Sequence, residues 1–256
     1  MSEVVEKKPV RPWPKLFQRM GIMVACPGCQ YGIAARLLCE CLEEMNLAGR
    51  TVGVAGIGCC SGAMVLLQTD WVQAAHGRAC DVATAIKRVS RGKLTVFTWQ
   101  GDGDALAIGT EGIIQAAIRG ERITVFMINN FNYGTTGGQM SPTTLIGQKT
   151  TTTPYGRNPK VEGYPFYAPE YLAVIKGVAY TARGAVNTAT NCQRTKEYIR
   201  KALEKQIGDV GFSYVEVISA CPPDWHLTPL ECQDYIATQI IPSFPLGEFK
   251  NVAQIQ

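Results

Sequence analysis

Hydrophobic positions along this chain switch repeatedly between a helical spacing and short continuous runs. In CPGCQYGIAARLLCECLEEMN, apolar residues at Ile33, Leu37, Leu38 and Leu42 recur at helical intervals, so a turn followed by a helix is expected. TVGVAGI (51–57) is β-branched, uncharged and closed by Gly58, the pattern of a buried strand. QAAHGRACDVATAIKRVS (73–90) reads as helix and KLTVFTWQ (93–100) as a second strand. ALAIGTEGIIQAAIRG gives a second helix ending at Gly120, and RITVFMINN (122–130) a third strand. APEYLAVIKGVAYTARGA and NCQRTKEYIRKALEKQI return to helical spacing, and SYVEVIS (213–219) is a further strand. Strands separated by helices of this length imply right-handed crossovers, hence an α/β fold with a mostly parallel sheet flanked by helices.

Two stretches escape that rhythm. Residues 131–167 have almost no periodicity and are dense in Gly, Thr, Pro and Asn; so long a loop is expected to be functional or held by a partner. The tail from Cys221 on has five prolines and no convincing strand. The first twenty residues form an arm rich in proline and charge, with Trp13 and Phe17 available as anchors and Lys7, Lys8, Arg11 and Lys15 as a solvated basic cluster. The expected organisation is an arm (1–20), a cofactor-binding domain (21–225) and a tail (226–256) that packs on the domain or on a partner subunit.

Composition adds exclusions. The 256 residues are 46% hydrophobic and 18% charged with a net charge of +4, and no basic stripe with interleaved aromatics suggests nucleic acid. No apolar run suits a membrane span and the N-terminus lacks the apolar core of a secretory signal, so a cytoplasmic protein is expected. Ten cysteines in a reducing compartment point to metal ligation or redox chemistry rather than disulfides.

The most specific chemistry is Gly101-Asp102-Gly103, then 25 residues, then Asn129-Asn130. Each half ends a buried strand, so two parallel strands deliver polar groups to the edge where open α/β sheets bind ligands. The glycines admit close backbone approach, and a helix opening at Asp104–Ala105 would aim its positive end at an anion. Asp102 offers a carboxylate oxygen and Asn130 an amide oxygen, donors that suit Mg²⁺ alongside phosphate. Cys26-Pro-Gly-Cys29 has the spacing of a two-thiolate ligand pair; Cys59, Cys60 and Cys221 follow strands that end at the same edge. Four such thiolates fit tetrahedral Zn²⁺ or a [4Fe–4S] cluster, and spacing does not separate the two. Cys39, Cys41, Cys80, Cys192 and Cys232 read as ordinary core or surface thiols, and His76 and His226, taken alone, as structural histidines.

Together, CPGC, GIGC, HGRACDVATAIK, QGDGDALAIG, NNFNYGTTGGQMSPTTLIGQKTTTTPYGR and GFSYVEVISACP resemble the beta subunit of 2-oxoacid:ferredoxin oxidoreductases, from about residue 22 to 225. The resemblance implies a thiamine-diphosphate-binding fold. It implies Mg²⁺ held by Asp102, Asn130 and the carbonyl of Asn132, cofactor contacts at Gly58, Cys59, His76, Gly101, Gly103, Asp104, Gly134 and Thr135, and a [4Fe–4S] cluster on Cys26, Cys29, Cys59 and Cys221. The family turns a 2-oxoacid, coenzyme A and oxidised ferredoxin into acyl-CoA, carbon dioxide and reduced ferredoxin. Its activating glutamate comes from a separate pyrimidine-binding alpha subunit, since no glutamate here has a matching context; gamma and ferredoxin-like delta subunits are further implied partners. Some relatives carry a lysine near the position of Gly62, so substrate recognition is expected either to differ here or to come from a partner subunit. The long threonine-rich loop is closest to the 2-oxoisovalerate type, with 2-oxoglutarate or pyruvate as alternatives. A non-oxidative thiamine-diphosphate decarboxylase subunit and a zinc-binding scaffold are the readings from other classes.

Overall fold

A computed structural model describes residues 13–17 and 25–255. Seven strands form one sheet: β1 (Thr51–Ala55), β2 (Asp70–Gln73), β3 (Thr95–Gly101), β4 (Thr124–Asn129), β5 (Val178–Ala185), β6 (Phe212–Ile218) and β7 (Gly247–Asn251). Their order is β2-β1-β3-β4-β6-β5-β7, parallel throughout except for β7, which pairs antiparallel with β5 at one edge. The central strands β4, β5 and β6 are buried along their whole length, as expected where helices cover both faces.

The helices are α1 (Tyr31–Glu44), α2 (Ala63–Leu66), α3 (Ala79–Val89), α4 (Thr110–Ile118), α5 (Pro159–Glu162), α6 (Ala168–Ala173), α7 (Ala189–Ile207), α8 (Pro222–Trp225), α9 (Pro229–Tyr235) and α10 (Ile241–Ser243). One face of the sheet packs Phe97, Trp99, Phe126 and Val215 against Leu38 and Leu42 of α1 and Ile199 and Leu203 of α7. The other packs Val96, Val125 and Met127 against Ala83 of α3 and Ile113 and Ala116 of α4. A third cluster joins Phe131 and Ile218 to Cys232, Ile236, Ile240 and Phe244 of the C-terminal segment. Among the described residues no helix is long and apolar enough to cross a membrane.

Several sequence expectations need correction. The span 73–90 is not one helix: it holds the end of edge strand β2, a turn in which Gly77 has φ +74°, and α3 from Ala79, so His76 lies in the turn. The span read as helix through 185 is the short α6 followed by β5. Its helical look came from Tyr180, Thr181 and Arg183, polar positions that the fold buries; Arg183 is neutralised by Glu216 and by Glu170. The tail does contain a strand, β7, which closes the edge beside β5. Ile33, expected in the core, is 41% exposed, and Ala34, Leu37, Leu38 and Leu42 supply the buried face of α1. The helix after the GDG motif opens with a π turn (Asp104–Ile108), and Gly109 then caps the start of α4.

Of the arm, residues 1–12 and 18–20 lie outside the described residues, as do 21–24. Trp13 and Phe17 meet edge to face at 5.3 Å. Arg36 of α1 lies 4.6 Å over the Trp13 ring, and the Leu16 amide donates to Glu43 at 2.6 Å.

Candidate functional site

Because β1, β3, β4 and β6 are parallel, the segments following them meet at one edge of the sheet. A cleft of about 100 Å³ opens there, lined by the segments 57–60, 101–104 and 132–136 together with Asn130, Tyr31 and His76. Every residue the sequence reading placed at the cofactor borders it: Gly58, Cys59, His76, Gly101, Asp102, Gly103, Asp104, Asn130, Asn132, Gly134 and Thr135. Gly103 is there for a steric reason, since a Cβ on it would collide with the Tyr133 ring. Gly101, by contrast, has only the Tyr31 hydroxyl within reach, at 3.6 Å.

At the cleft floor a carboxylate, an amide and a main-chain carbonyl meet. The Asn130 side-chain amide sits 2.9 Å from an Asp102 carboxylate oxygen and 2.9 Å from the Asn132 main-chain carbonyl, donating to both through its nitrogen in one orientation and presenting its oxygen to them in the other. Oxygens at that separation repel unless a cation lies among them or the amide turns over to donate. Asp102 is 1% exposed, and burial raises its carboxyl to about 6 despite hydrogen bonds that act to lower it. Those bonds come to its other oxygen from Ser141 at 2.5 Å and Thr143 at 2.7 Å. A carboxylate, an amide oxygen and a carbonyl, buried and short of positive charge, form a donor set that fits Mg²⁺.

Asp104 behaves differently. One of its oxygens accepts from the amides of Ile57 (3.0 Å) and Gly77 (2.9 Å), the other from the Gln100 side chain (2.6 Å). A Cβ at Gly56 would strike this carboxylate. Asp104 thus ties the β1 and β2 loops to the β3 end, and His76 stands 4.0 Å away on the cleft side.

The thiols gather beside the cleft. Cys26 and Cys29 share a tight turn closed by a 3.0 Å main-chain bond, and all ten cysteines are free. Cys59 is exposed and lies 3.0 Å from the Thr135 hydroxyl, whereas its neighbour Cys60 is buried. Burial raises the Cys29 thiol to about 11, with Cys59 and Cys26 adding to the rise, and raises Cys60 to about 12. Cys221 is 3.2 Å from an Asp224 carboxylate oxygen; an ideal Cβ at Gly134 would stand 3.3 Å from that same oxygen and 3.2 Å from the Cys59 sulfur. Among the described residues, no three His, Cys, Asp or Glu side chains converge tightly enough to hold a single ion. A cluster binds its thiolates through separate iron corners, so four unpaired thiols around one end of the cleft fit it by donor chemistry.

The sequence reading missed the supports. Ser141 and Thr143 lie forty residues from the carboxylate they hold, in a segment without periodicity. Asn129 accepts from Thr143 (2.9 Å) and donates to buried Glu216 (2.7 Å), which pairs with Arg183 (2.8 Å). The one available signal was a charged residue inside each of two apolar strands. The long loop is pinned by its own chain: buried Arg157 donates to the carbonyls of Ser141, Pro142, Thr144, Glu162, Gly163 and Tyr164. Tyr31, Tyr133 and Asp224 also went unnoticed. No glutamate lines the cleft among the described residues.

Comparison with known proteins agrees with this geometry. The thiamine pyrophosphate enzyme family, through its C-terminal TPP binding domain, matches residues 56–217. Ketoisovalerate oxidoreductase subunit VorA of Methanothermobacter thermautotrophicus is 37% identical over 226 residues, covering 88% of this chain and 47% of its own length. 2-Oxoglutarate synthase subunit KorB of Archaeoglobus fulgidus is 36% identical over 206 residues, 80% of this chain and 72% of that one. The chain thus spans about half the length of the ketoisovalerate relative. A solved structure, 2-oxoglutarate:ferredoxin oxidoreductase from Magnetococcus marinus with 2-oxoglutarate, coenzyme A and succinyl-CoA bound, superimposes with a TM-score of 0.76 at 25% identity, covering 96% of this chain and 87% of that one. The chain belongs to the thiamine pyrophosphate enzymes, among the subunits of 2-oxoacid oxidoreductases.

Proposed function

We propose that this chain is the thiamine-diphosphate-binding subunit of a coenzyme A-dependent 2-oxoacid:ferredoxin oxidoreductase. The observation that carries the reading is the buried group of Asp102, the Asn130 amide and the Asn132 carbonyl at the cleft floor, with the free thiol of Cys59 on the cleft wall and those of Cys26, Cys29 and Cys221 beside it. Asp102, Asn130 and the Asn132 carbonyl hold Mg²⁺. Gly101, Gly103, Asp104 and His76 wall the place for the diphosphate, with Gly58, Cys59, Gly134 and Thr135 facing them. Cys26, Cys29, Cys59 and Cys221 hold the [4Fe–4S] cluster; exposed Cys59 rather than buried Cys60 is the ligand. The cofactor residues lie between 21 and 225, and the segment after 225 packs on the same domain and completes its sheet through β7.

When bound, thiamine diphosphate supplies the carbon nucleophile that decarboxylates a 2-oxoacid, and the cluster accepts electrons singly. The chain's own part is positional. Ser141 and Thr143 fix the Asp102 carboxylate toward the metal, and Asp104 fixes both cleft walls. The activating glutamate comes from a pyrimidine-binding alpha subunit, so the chain alone is inactive; gamma and ferredoxin-like delta subunits and ferredoxin complete the path.

The preferred substrate is a branched 2-oxoacid such as 2-oxoisovalerate. The cleft has no lysine or arginine among its described lining, which favours an alkyl group over the second carboxylate of 2-oxoglutarate. The test is anaerobic purification with co-purifying partners, then iron, sulfide and zinc analysis and assay of a 2-oxoacid panel with coenzyme A. About four irons and four sulfides per chain, after correction for partner clusters, support the reading. Zinc without sulfide sinks it.

A further inference from the structure

Asn132 faces two sites at once. Its main-chain carbonyl stands 2.9 Å from the Asn130 side-chain amide, beside Asp102. Its side-chain nitrogen donates to Asp224 at 3.0 Å and lies 3.9 Å from the Cys221 sulfur. The Cys221 thiol in turn donates to the same Asp224 oxygen at 3.2 Å. The one-turn helix α8 starts directly after Cys221, and its Trp225 donates through the indole nitrogen to the Asn130 main-chain carbonyl at 3.1 Å. Asn132 is 3% and Cys221 8% exposed, whereas Asp224 is half-buried.

The arrangement changes when Cys221 becomes a ligand. Its thiol proton leaves, as metal binding requires. The Asp224 carboxylate then faces a negatively charged sulfur with no proton between them. The Asn132 amide is the donor placed to reach both. An N–H pointing at a cluster sulfur stabilises the reduced, more negative state and raises the potential; a carboxylate beside it does the opposite.

We propose that Asn132 and Asp224 set the reduction potential of the cluster bound through Cys221, and that they do so in opposite directions. Asn132 pulls it up through its side chain while its main chain serves the metal beside Asn130 and Asp102. Asp224 holds it down. A single residue therefore touches both the metal site that would anchor the cofactor and the site that would receive its electrons. The inference rests on the cluster assignment made above.

The experiment is an EPR-monitored redox titration of the purified complex, with iron content and thermal unfolding recorded for each variant. Asp224→Asn removes the charge and is expected to move this cluster's potential to more positive values. Asn132→Ala removes the donor but keeps the main-chain carbonyl, and is expected to move it to more negative values. Asp224→Glu keeps the charge and is expected to stay nearer the wild type than Asp224→Asn. Opposite shifts at full iron content support the proposal. Unmoved potentials, shifts of the same sign, or iron loss with an unchanged potential in the remaining clusters overturn it; that last pattern is what a purely structural role gives. Absence of iron and sulfide from the wild-type chain would instead overturn the cluster assignment itself.

Discussion

The oxygen site and the thiol site share one end of the cleft but are built in contrasting ways. Asp102, Asn130 and Asn132 are 1%, 4% and 3% exposed, and they stand at or just beyond the ends of fully paired central strands. Their orientation is enforced by buried hydroxyls and, behind those, by the Glu216–Arg183 pair. The thiols ride on a CxxC turn, a short 3₁₀ turn and the start of α8; Cys26 and Cys59 are exposed and Cys29 is half-buried. A hard cation with demanding geometry gains from donors fixed in advance. A cluster can draw mobile thiolates together as it binds, because its binding energy is also ordering energy. The difference teaches that one end of the site is part of the core while the other is completed by its ligand.

Removing the charge at the oxygen site breaks the comparison most directly. Asp102→Ala is expected to weaken thiamine-diphosphate retention by more than about a hundredfold, beyond the effect of losing a supporting residue, while iron content persists. Equilibrium binding of thiamine diphosphate and Mg²⁺ to the purified complex measures the first, and iron analysis the second. Parallel loss of iron would show that the two sites form one folding unit. The mirror experiment is Cys59→Ser, expected to lose the cluster and keep thiamine diphosphate. Cys60→Ser is expected to retain both, because Cys60 is buried in the same core cluster as Tyr31.

Next in size is a stability effect. Arg157 satisfies six carbonyls in the loop that carries Ser141 and Thr143. Arg157→Met keeps much of the stem but strands those acceptors, at a cost on the order of 3 kcal/mol or more. Thermal unfolding is expected to show that loss, with metal affinity falling more than iron content. Equal losses of both would mean that the loop supports the thiols as well.

How far the sequence disclosed this depended on locality. β1, β3, β4 and β6 were legible because each is a short apolar run that needs no partner to be recognised. Asp102 and Asn130 were legible because strand ends project polar groups at a fixed edge. β5 was not, since Arg183 belongs in a buried strand only when Glu216, thirty-three residues on, is beside it. β7 was hidden because edge strands bear mixed polarity and gain meaning from the neighbour they cover. Asp104 is expected from the sequence as a cofactor contact at a helix opening; that its oxygens also accept from Ile57, Gly77 and Gln100 is visible only in space. Residue types that suit a cofactor also suit the bracing around one.

The smallest expected effect sharpens the comparison, because it asks whether orientation alone matters at the oxygen site. Thr143 has one hydroxyl proton and two acceptors, Asp102 at 2.7 Å and Asn129 at 2.9 Å. Thr143→Val conserves shape and removes that proton, leaving Asp102 with the Ser141 bond and a freer carboxylate. Supporting residues of this kind are worth about ten- to a hundredfold in metal affinity, and one hydroxyl among several belongs at the lower end. Thr143→Val is therefore expected to raise the Mg²⁺ concentration for half-maximal thiamine-diphosphate binding about tenfold. Thr143→Ser, which restores the donor, is expected to recover most of the loss. Cluster content and potential should not move in either variant, since Thr143 has no contact with the thiols. If valine and threonine bind Mg²⁺ equally well, the buried hydroxyls are packing rather than guidance. The oxygen site would then owe its geometry to strand ends alone, much as the thiols owe theirs to turns.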